Sequence, residues 1–476
     1  NSVPPDITLI NLGYGEWHVI TLMDKNTLQK YDVAGPRYTS YPTAPQWSGE
    51  VNSDVYASRL TSFGRNDKTL SLYVHIPFCE QLCYFCACNK VIRAKDEKVG
   101  DEFLNHLFKE IDMVAGFLQR RKLIRQLHWG GGTPTYLSEG QIERLFSKIQ
   151  SVFDIDLNEE IAIEIDPRTV TQNKLKVLRR LGFNRISMGV QDFDDKVQDD
   201  INRIQPYEQV AQVHQWCRDL KFESVNYDLI YGLPYQTRDT FKKTMDLVIG
   251  LKPDRIALYS FAYVPWLSKP QNKFNLDAIA LHDEKLDIFI QSRENLLAHG
   301  YQAIAMDHFA LTTDAMARAF NEGTLHRNFM GYTLKPADEY IGIGPSAISF
   351  LEKTYIQNTK ILPEYYKWTS RGCLPVERGK QLNQDDQIRQ WVINSLMCRF
   401  QVDKQRFFDR FGYKFEDYFK EEGKHIHDCV EDGLINENPQ QIQVTDLGKI
   451  FIRNVCMGFD HYLRQKNGYQ RFSRTV

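Results

Sequence analysis

Four of the chain's nine cysteines, Cys79, Cys83, Cys86 and Cys88, fall within ten positions. The first three have the spacing C-x3-C-x2-C. A cubane [4Fe–4S] cluster normally takes four thiolates; three from one tight loop leave an iron open to bind and activate a small molecule. Zinc is the competing reading. Four-cysteine zinc sites usually pair two C-x2-C knuckles well separated along the chain. Here there is no second knuckle, and Cys86 and Cys88 crowd a single tetrahedral ion. A disulfide framework fits poorly with an odd count, and Cys217, Cys373, Cys398, Cys429 and Cys456 are scattered singly. Those five read as small buried residues. The spacing favours an iron–sulfur loop over zinc.

Such a loop needs a scaffold. Short β-rich runs at 72–76, 124–129, 161–165, 185–190, 224–230 and 255–259 alternate with amphipathic segments at 100–120, 139–153, 173–181, 207–220 and 237–250. This alternation predicts βαβ units and a parallel sheet. Six units imply class α/β with a partial, open (β/α)6 barrel. Active sites of parallel α/β folds lie at the carboxyl ends of the strands. The cysteine loop follows the first run, Gly130-Gly-Gly-Thr-Pro134 the second, and Gln191 the fourth. Glu164 closes the third, and Asp228 lies in the fifth.

The organisation expected around that barrel is an irregular extension over 1–22, with Met23 as a natural chain start. A strap covers 23–69, where Gly35 to Pro45 holds three prolines that favour extended backbone. The barrel covers 70–270, an extension with substrate-side loops 271–375, and a mainly helical C-terminal domain 376–476. In the extension, 279–299 reads as a helix, 306–309 and 326–332 as loops, and 341–350 as glycines around a short strand. At the end, helical patterns at 384–399, 404–411, 415–432 and 446–465 flank a hairpin at 435–444. That grouping resembles a winged-helix unit, but it is not basic enough for DNA, and packing or a lid is the expected role.

The formal net charge of −2 argues against a general nucleic-acid or membrane-surface role. No apolar run approaches the ~20 residues of a membrane span, and the N-terminus lacks the pattern of a secretory signal. Reduced thiols suit the cytoplasm. Aromatic residues make up 12% of the chain, which fits a rich core better than a large flat ligand.

Three glycines in a row weaken any regular element. Their use is close backbone approach or positive φ, and no Lys-Ser/Thr follows to make a phosphate loop. Beside the cysteine loop they suit the amino and carboxylate ends of an amino-acid-like ligand. Glu164 could hold a cationic or hydroxyl-bearing ligand; the alternative is an ion pair with Arg168 or Arg185. Gln191, Arg203 and Asp228 gain interest only from sharing one rim. His75 reads as a satisfied structural histidine.

The cysteine loop, the glycine stretch and the six βα units together resemble the radical S-adenosylmethionine (SAM) superfamily. More narrowly, the chain is similar to the oxygen-independent coproporphyrinogen III oxidases (dehydrogenases) of haem biosynthesis. The match rests on Gly35-Pro-Arg-Tyr-Thr-Ser-Tyr-Pro-Thr-Ala44, Tyr73-Val-His-Ile-Pro-Phe-Cys79, Cys83-Tyr-Phe-Cys86 with Cys88-Asn-Lys90, and His128-Trp-Gly-Gly-Gly-Thr-Pro-Thr-Tyr-Leu137. Ser187-Met-Gly-Val-Gln-Asp-Phe193, Asp228-Leu-Ile-Tyr-Gly-Leu-Pro234, His326-Arg-Asn-Phe329 and Gly458-Phe-Asp-His-Tyr-Leu-Arg464 extend it, from about Leu28 to the C-terminus.

The resemblance implies cluster ligation by Cys79, Cys83 and Cys86, with SAM on the open iron and Cys88 a further cysteine of uncertain role. It implies radical decarboxylation of two propionates of coproporphyrinogen III to vinyl groups, giving protoporphyrinogen IX. Matching positions for the cluster-bound SAM are Tyr73, Gly131, Glu164 and Ile348. For a second SAM they are Phe85, Gly132, Thr133, Gln191, Arg203, Asp228 and Ala262. Ala87 stands where the family usually has glycine, and Met330 where it commonly has glutamine. An electron donor and a final acceptor, both unidentified, are implied, with no nucleic acid or membrane partner and a monomeric chain. The substrate's propionates call for guanidinium groups, and Arg37 and Arg327 are the candidates. A haem-binding chaperone of the same superfamily and an RNA-acting radical SAM enzyme are the alternatives.

Overall fold

The computed structural model describes residues 30–280, 282–334, 337, 339–464 and 472–475. The expectations for 1–22 and Met23 lie outside them. Strand β1 (Leu70–Ile76) sets the pattern for the sheet. Leu70, Leu72, Val74 and Ile76 are fully buried against the helical layer, whereas Ser71, Tyr73 and His75 project to the other face. Strands β2 (Leu123–Gly131), β3 (Asp154–Ile165), β4 (Arg185–Gln191), β5 (Ser224–Tyr231) and β6 (Arg255–Ser260) follow, all parallel. The six expected strands are present; β3 begins earlier than its apolar run, at Asp154.

Helices α1 (Ser53–Gly64), α2 (Glu97–Leu118), α3 (Glu139–Val152), α4 (Gln172–Leu181), α5 (Tyr207–Asp219) and α6 (Arg238–Leu251) supply the outer layer. Their starts are chemically marked. Asn52 accepts from the Asp54 and Val55 N–H groups, Asp96 from Lys98, and Thr171 from Lys174, satisfying donors that a helix start leaves open. Helix α1 lies within the 23–69 segment, after the proline-rich stretch 35–45.

Antiparallel strands extend the sheet at both edges. Beyond β6 lie β8 (His308–Leu311) and β7 (Tyr301–Ile304). On the other side, β9 (Glu339–Ile343) runs parallel to β1 and leads to β10 (Ile348–Leu351), β11 (Thr354–Asn358) and β12 (Val376–Gln381). The order of the twelve strands is β12-β11-β10-β9-β1-β2-β3-β4-β5-β6-β8-β7. Among the described residues no pairing joins the two ends, so the barrel is open. Two expected loops are therefore corrected. Residues 308–311 form a sheet strand, and 326–332 form a hairpin of His326–Asn328 with Gly331–Thr333. The first reads as a loop because polar Asp307 and His308 are adjacent, and the second because His326, Arg327 and Asn328 are polar in succession.

The C-terminal region has its own core, shared with the strap through Tyr31, Tyr38 and Tyr41. Its expected long helices over 415–432 and 446–465 are broken into short pieces, such as Phe415–Tyr418 and Gly423–Glu431. The expected hairpin, Ile435–Glu437 with Gln441–Val444, gains a third strand, Gln401–Asp403. Buried Arg453 donates to the carbonyls of Gly35, Pro36 and Arg474, fastening strap and C-terminus together.

One buried carboxyl steadies the β9–β10 turn. Glu110 of α2, fully buried, accepts from the Gly344 N–H at 2.8 Å, the Asn358 amide at 2.6 Å and the Tyr365 hydroxyl at 2.5 Å. Burial pushes its carboxyl up from 4.5 to about 7, against the pull of those hydrogen bonds. The folded chain thus binds more protons than the unfolded chain between these values, and stability falls as pH rises through that window. In denaturant titrations at pH 4.5 and 7.5, Glu110→Gln should lack this contribution, on the order of 3 kcal/mol. Identical pH slopes for both proteins would remove it.

Candidate functional site

The cysteine loop has almost no regular structure. Cys79 ends the short strand Phe78–Cys79, which pairs with Val91–Ile92. Neighbours take up the backbone between them. Asn202 Nδ2 donates to Leu82 O at 2.7 Å, and Tyr84 N to Ile201 O at 3.0 Å. Gln271 Nε2 donates to Phe85 O at 2.8 Å, while Ser268 Oγ and Lys90 Nζ reach Cys86 O at 2.9 and 2.7 Å. His75 Nε2 lies 3.0 Å from Asn89 O and its Nδ1 3.1 Å from the Tyr73 hydroxyl. Burial lowers this imidazole to about 4. It is the satisfied, neutral histidine the strand pattern implied.

A cavity of about 600 Å³ opens beside the loop, within the range of small-ligand sites. Cys79, Cys83, Phe85, Cys86, Cys88, Gly131, Gly132, Thr133, Glu164, Gln191, Arg203 and Asp228 all line it. Other residues proposed from sequence lie outside this lining. Tyr73 stacks on His128, with ring centroids 5.9 Å apart, on the interior face of β1. Ile348 begins β10, and Ala262 offers its carbonyl to Gln271. Arg37 and Arg327 are at the strap: Arg37 donates to Ser260 O, and Arg327 to the carbonyls of Arg37 and Tyr38.

The glycines do what their absent side chains allow. A Cβ on Gly130 would meet the Glu164 carboxylate at 2.7 Å, and one on Gly132 would meet Pro77 O at 2.6 Å. Gly131 has φ +118°, a conformation that favours glycine, and its N–H donates to Glu164 Oε2 at 3.1 Å. Glu164 also lies 3.2 Å from His128 Nε2. Burial raises its pKa, but His128 and the Gly131 N–H outweigh that and hold it below the usual value. Neither ion pair considered from sequence forms: Arg168 pairs with Asp166 at 2.7 Å, and Arg185 approaches Glu160.

The Asp166 arrangement was not singled out in the sequence. Asp166 holds Arg168 and Arg203, and each arginine also reaches Cys83 Sγ, at 3.6 and 3.5 Å. Burial opposes its charge, but the two guanidinium groups bring the carboxyl down to about 2. The Asp166-Pro-Arg168 triplet directly after a strand was the available signal. Thr133 Oγ1 donates to Cys79 Sγ at 3.4 Å. The Cys88 hydrogen bond pulls the Cys86 thiol down to about 6, while Cys88 is pushed up. Asp228, between Ser187 and Asn226, is raised to about 6, first by burial and then by the Glu164 charge.

Among the described residues no three His, Cys, Asp or Glu side chains are gathered as one metal ion requires. The thiols instead ring a cavity, an arrangement suited to a multi-iron group, with an adjacent glycine cradle. Buried Arg203 Nε has no hydrogen-bond partner and is a donor available to a ligand. Carboxylates and guanidinium groups on one rim suit a ligand with both an ammonium and a carboxylate. The residues present fit an iron–sulfur cluster with an amino-acid-like co-ligand.

Comparisons with known proteins agree. The Radical SAM superfamily model matches residues 73–248, and the HemN C-terminal domain model matches 382–451. The chain is 43% identical over 454 residues to the oxygen-independent coproporphyrinogen III oxidase of Synechocystis sp., covering 94% of this chain and 97% of that protein. It is 42% identical to the Pseudomonas aeruginosa protein of the same name, covering 95% and 98%. The crystallised coproporphyrinogen III oxidase of Escherichia coli, described as a radical SAM enzyme, superposes with a TM-score of 0.86 at 41% identity, over 90% of this chain and 97% of that one.

The glycine cradle makes a direct prediction. Gly132→Ala places a methyl against the carbonyls of Pro77 and Phe78, which are backbone and give way poorly. A loss of about 1–3 kcal/mol in stability is expected, with reduced iron incorporation on anaerobic reconstitution. Gly140→Ala, in a helix where its Cβ meets nothing within 4 Å, is the control that should lower neither.

Proposed function

Because the chain belongs to the oxygen-independent coproporphyrinogen III oxidases of the radical SAM superfamily, we propose that its thiol-lined cavity is the site of that family's reaction. The protein is an oxidoreductase that decarboxylates two propionates of coproporphyrinogen III to vinyl groups. It uses a [4Fe–4S] cluster and SAM. When bound, these groups supply the radical chemistry that removes a propionate β-hydrogen before CO2 and an electron leave.

The observation that carries the site assignment is that Cys79, Cys83 and Cys86 line one cavity with Gly131 and Glu164. In this reading the three thiolates hold the cluster. The Asp166-bound guanidinium groups of Arg168 and Arg203 place positive charge against Cys83. Thr133 steadies Cys79. Glu164, kept ionised and aimed by Gly131 and His128, takes the ammonium of the cluster-bound SAM, with Tyr73 and Ile348 on the interior side. Phe85, Gly132, Thr133, Gln191, Arg203, Asp228 and Ala262 form the berth of a second SAM. Cys88 lines the same cavity and is not a ligand.

Arg37 and Arg327 were proposed from sequence as direct carboxylate ligands. Their hydrogen bonds to strap and barrel carbonyls support a role in fixing the wall behind the substrate. No described helix is long and apolar enough to cross a membrane. Free thiols and the chemistry of an iron–sulfur cluster support placement in the reducing cytoplasm. A one-electron donor and an acceptor complete the balance.

Anaerobically reconstituted protein given reductant, SAM and coproporphyrinogen III should form protoporphyrinogen IX. Cys79→Ala should lose both the cluster absorbance and turnover. Cys88→Ser should keep the cluster. Glu164→Gln should keep the cluster and weaken SAM binding about tenfold or more. An intact cluster without product, or stoichiometric haem binding without turnover, would overturn the reading.

A further inference from the structure

We infer that His308, held by Asp307, is the side chain that meets a propionate carboxylate of the substrate inside the barrel. The inference rests on the functional reading above and names the recognition group that the arginines do not supply directly.

The register places it. His308 of β8 lies opposite Ala257 of β6, and Ala257 lies beside Asp228 of β5. Residues opposite one another share a face, so His308 faces the same interior as cavity-lining Asp228. Two strand spacings separate them, about 10 Å, with Ala257 between. The side chain is 13% exposed, within reach of a ligand in that interior.

The surroundings suit a carboxylate on a flat ring. The imidazole sits edge-on between Tyr332 and Tyr259, with ring centroids at 4.9 and 5.8 Å. Its Nδ1 bonds Asp307 Oδ1 at 2.7 Å, which fixes Nδ1–H as a donor and leaves Nε2 for another partner. Among the described residues Nε2 has no hydrogen bond. Asp307 also faces Arg37 at 3.6 Å, and the Arg327 guanidinium lies 5.2 Å over the Tyr332 ring. Two guanidinium charges therefore stand against one carboxylate. Each arginine already donates to backbone carbonyls. Their charge acts from behind, and the ring presents Nε2: when that nitrogen carries a proton it donates to one carboxylate oxygen, with no covalent step.

Binding separates this from a structural role. Coproporphyrin III, the stable tetra-acid, and its tetramethyl ester are titrated into reconstituted protein by fluorescence quenching, with iron content and melting temperature measured alongside. His308→Phe should weaken tetra-acid binding about ten- to a hundredfold, the loss of a charge-assisted hydrogen bond. Ester binding should be unchanged, and His308→Lys should recover much of the tetra-acid affinity. If the phenylalanine variant loses iron or folds poorly, His308→Gln makes the same comparison. Unchanged tetra-acid affinity, or equal loss for acid and ester, would overturn the assignment. A wild-type holoenzyme that binds the tetra-acid but yields no protoporphyrinogen IX would instead overturn the functional reading.

Discussion

A loop without regular structure holds three thiols in place only if other elements take up its backbone. That is the constraint on which this molecule turns. The carbonyls of Leu82, Phe85, Cys86 and Asn89 are claimed by Asn202, Gln271, Ser268, Lys90 and His75, from regions as far apart as β1 and the segment after β6. Each bond is worth little alone, but a buried backbone group left unpaired is costly. The loop is consequently defined by the barrel rather than by its own sequence preferences.

The same economy governs charge. Asp166 neutralises two arginines that would otherwise crowd one another, and directs both at Cys83. Glu164 is aimed by one backbone N–H and one imidazole. Asp228, buried between its neutral partners Ser187 and Asn226 and near the Glu164 charge, stays easier to protonate. Guanidinium and carboxylate groups share one cavity lining, which suits a ligand bearing both charges.

The elements easiest to read in the chain were those whose burial has one period. Leu70, Leu72, Val74 and Ile76 alternate with polar partners, and β1 was plain. Met306 to Phe309 looked like a loop because Asp307 and His308 are polar and adjacent. The structure makes His308 the first residue of β8, with an apolar neighbour, Phe309, that is buried. The long C-terminal helices misled for the opposite reason: an amphipathic pattern runs on through turns, and only packing against the second core shows where they break.

What the chain alone determined is the donor set and its rough place. The C-x3-C-x2-C spacing, the glycine run and Glu164 follow successive strands, and a parallel α/β sheet brings successive strand ends together whatever else it does. What only the tertiary structure decided is which charged groups pair. Glu164 takes His128 rather than Arg168 or Arg185, Arg37 turns to the end of β6 and Arg327 to the strap. Pairing depends on strand register and on distances of a few ångströms between residues far apart in sequence, and composition and spacing do not encode them.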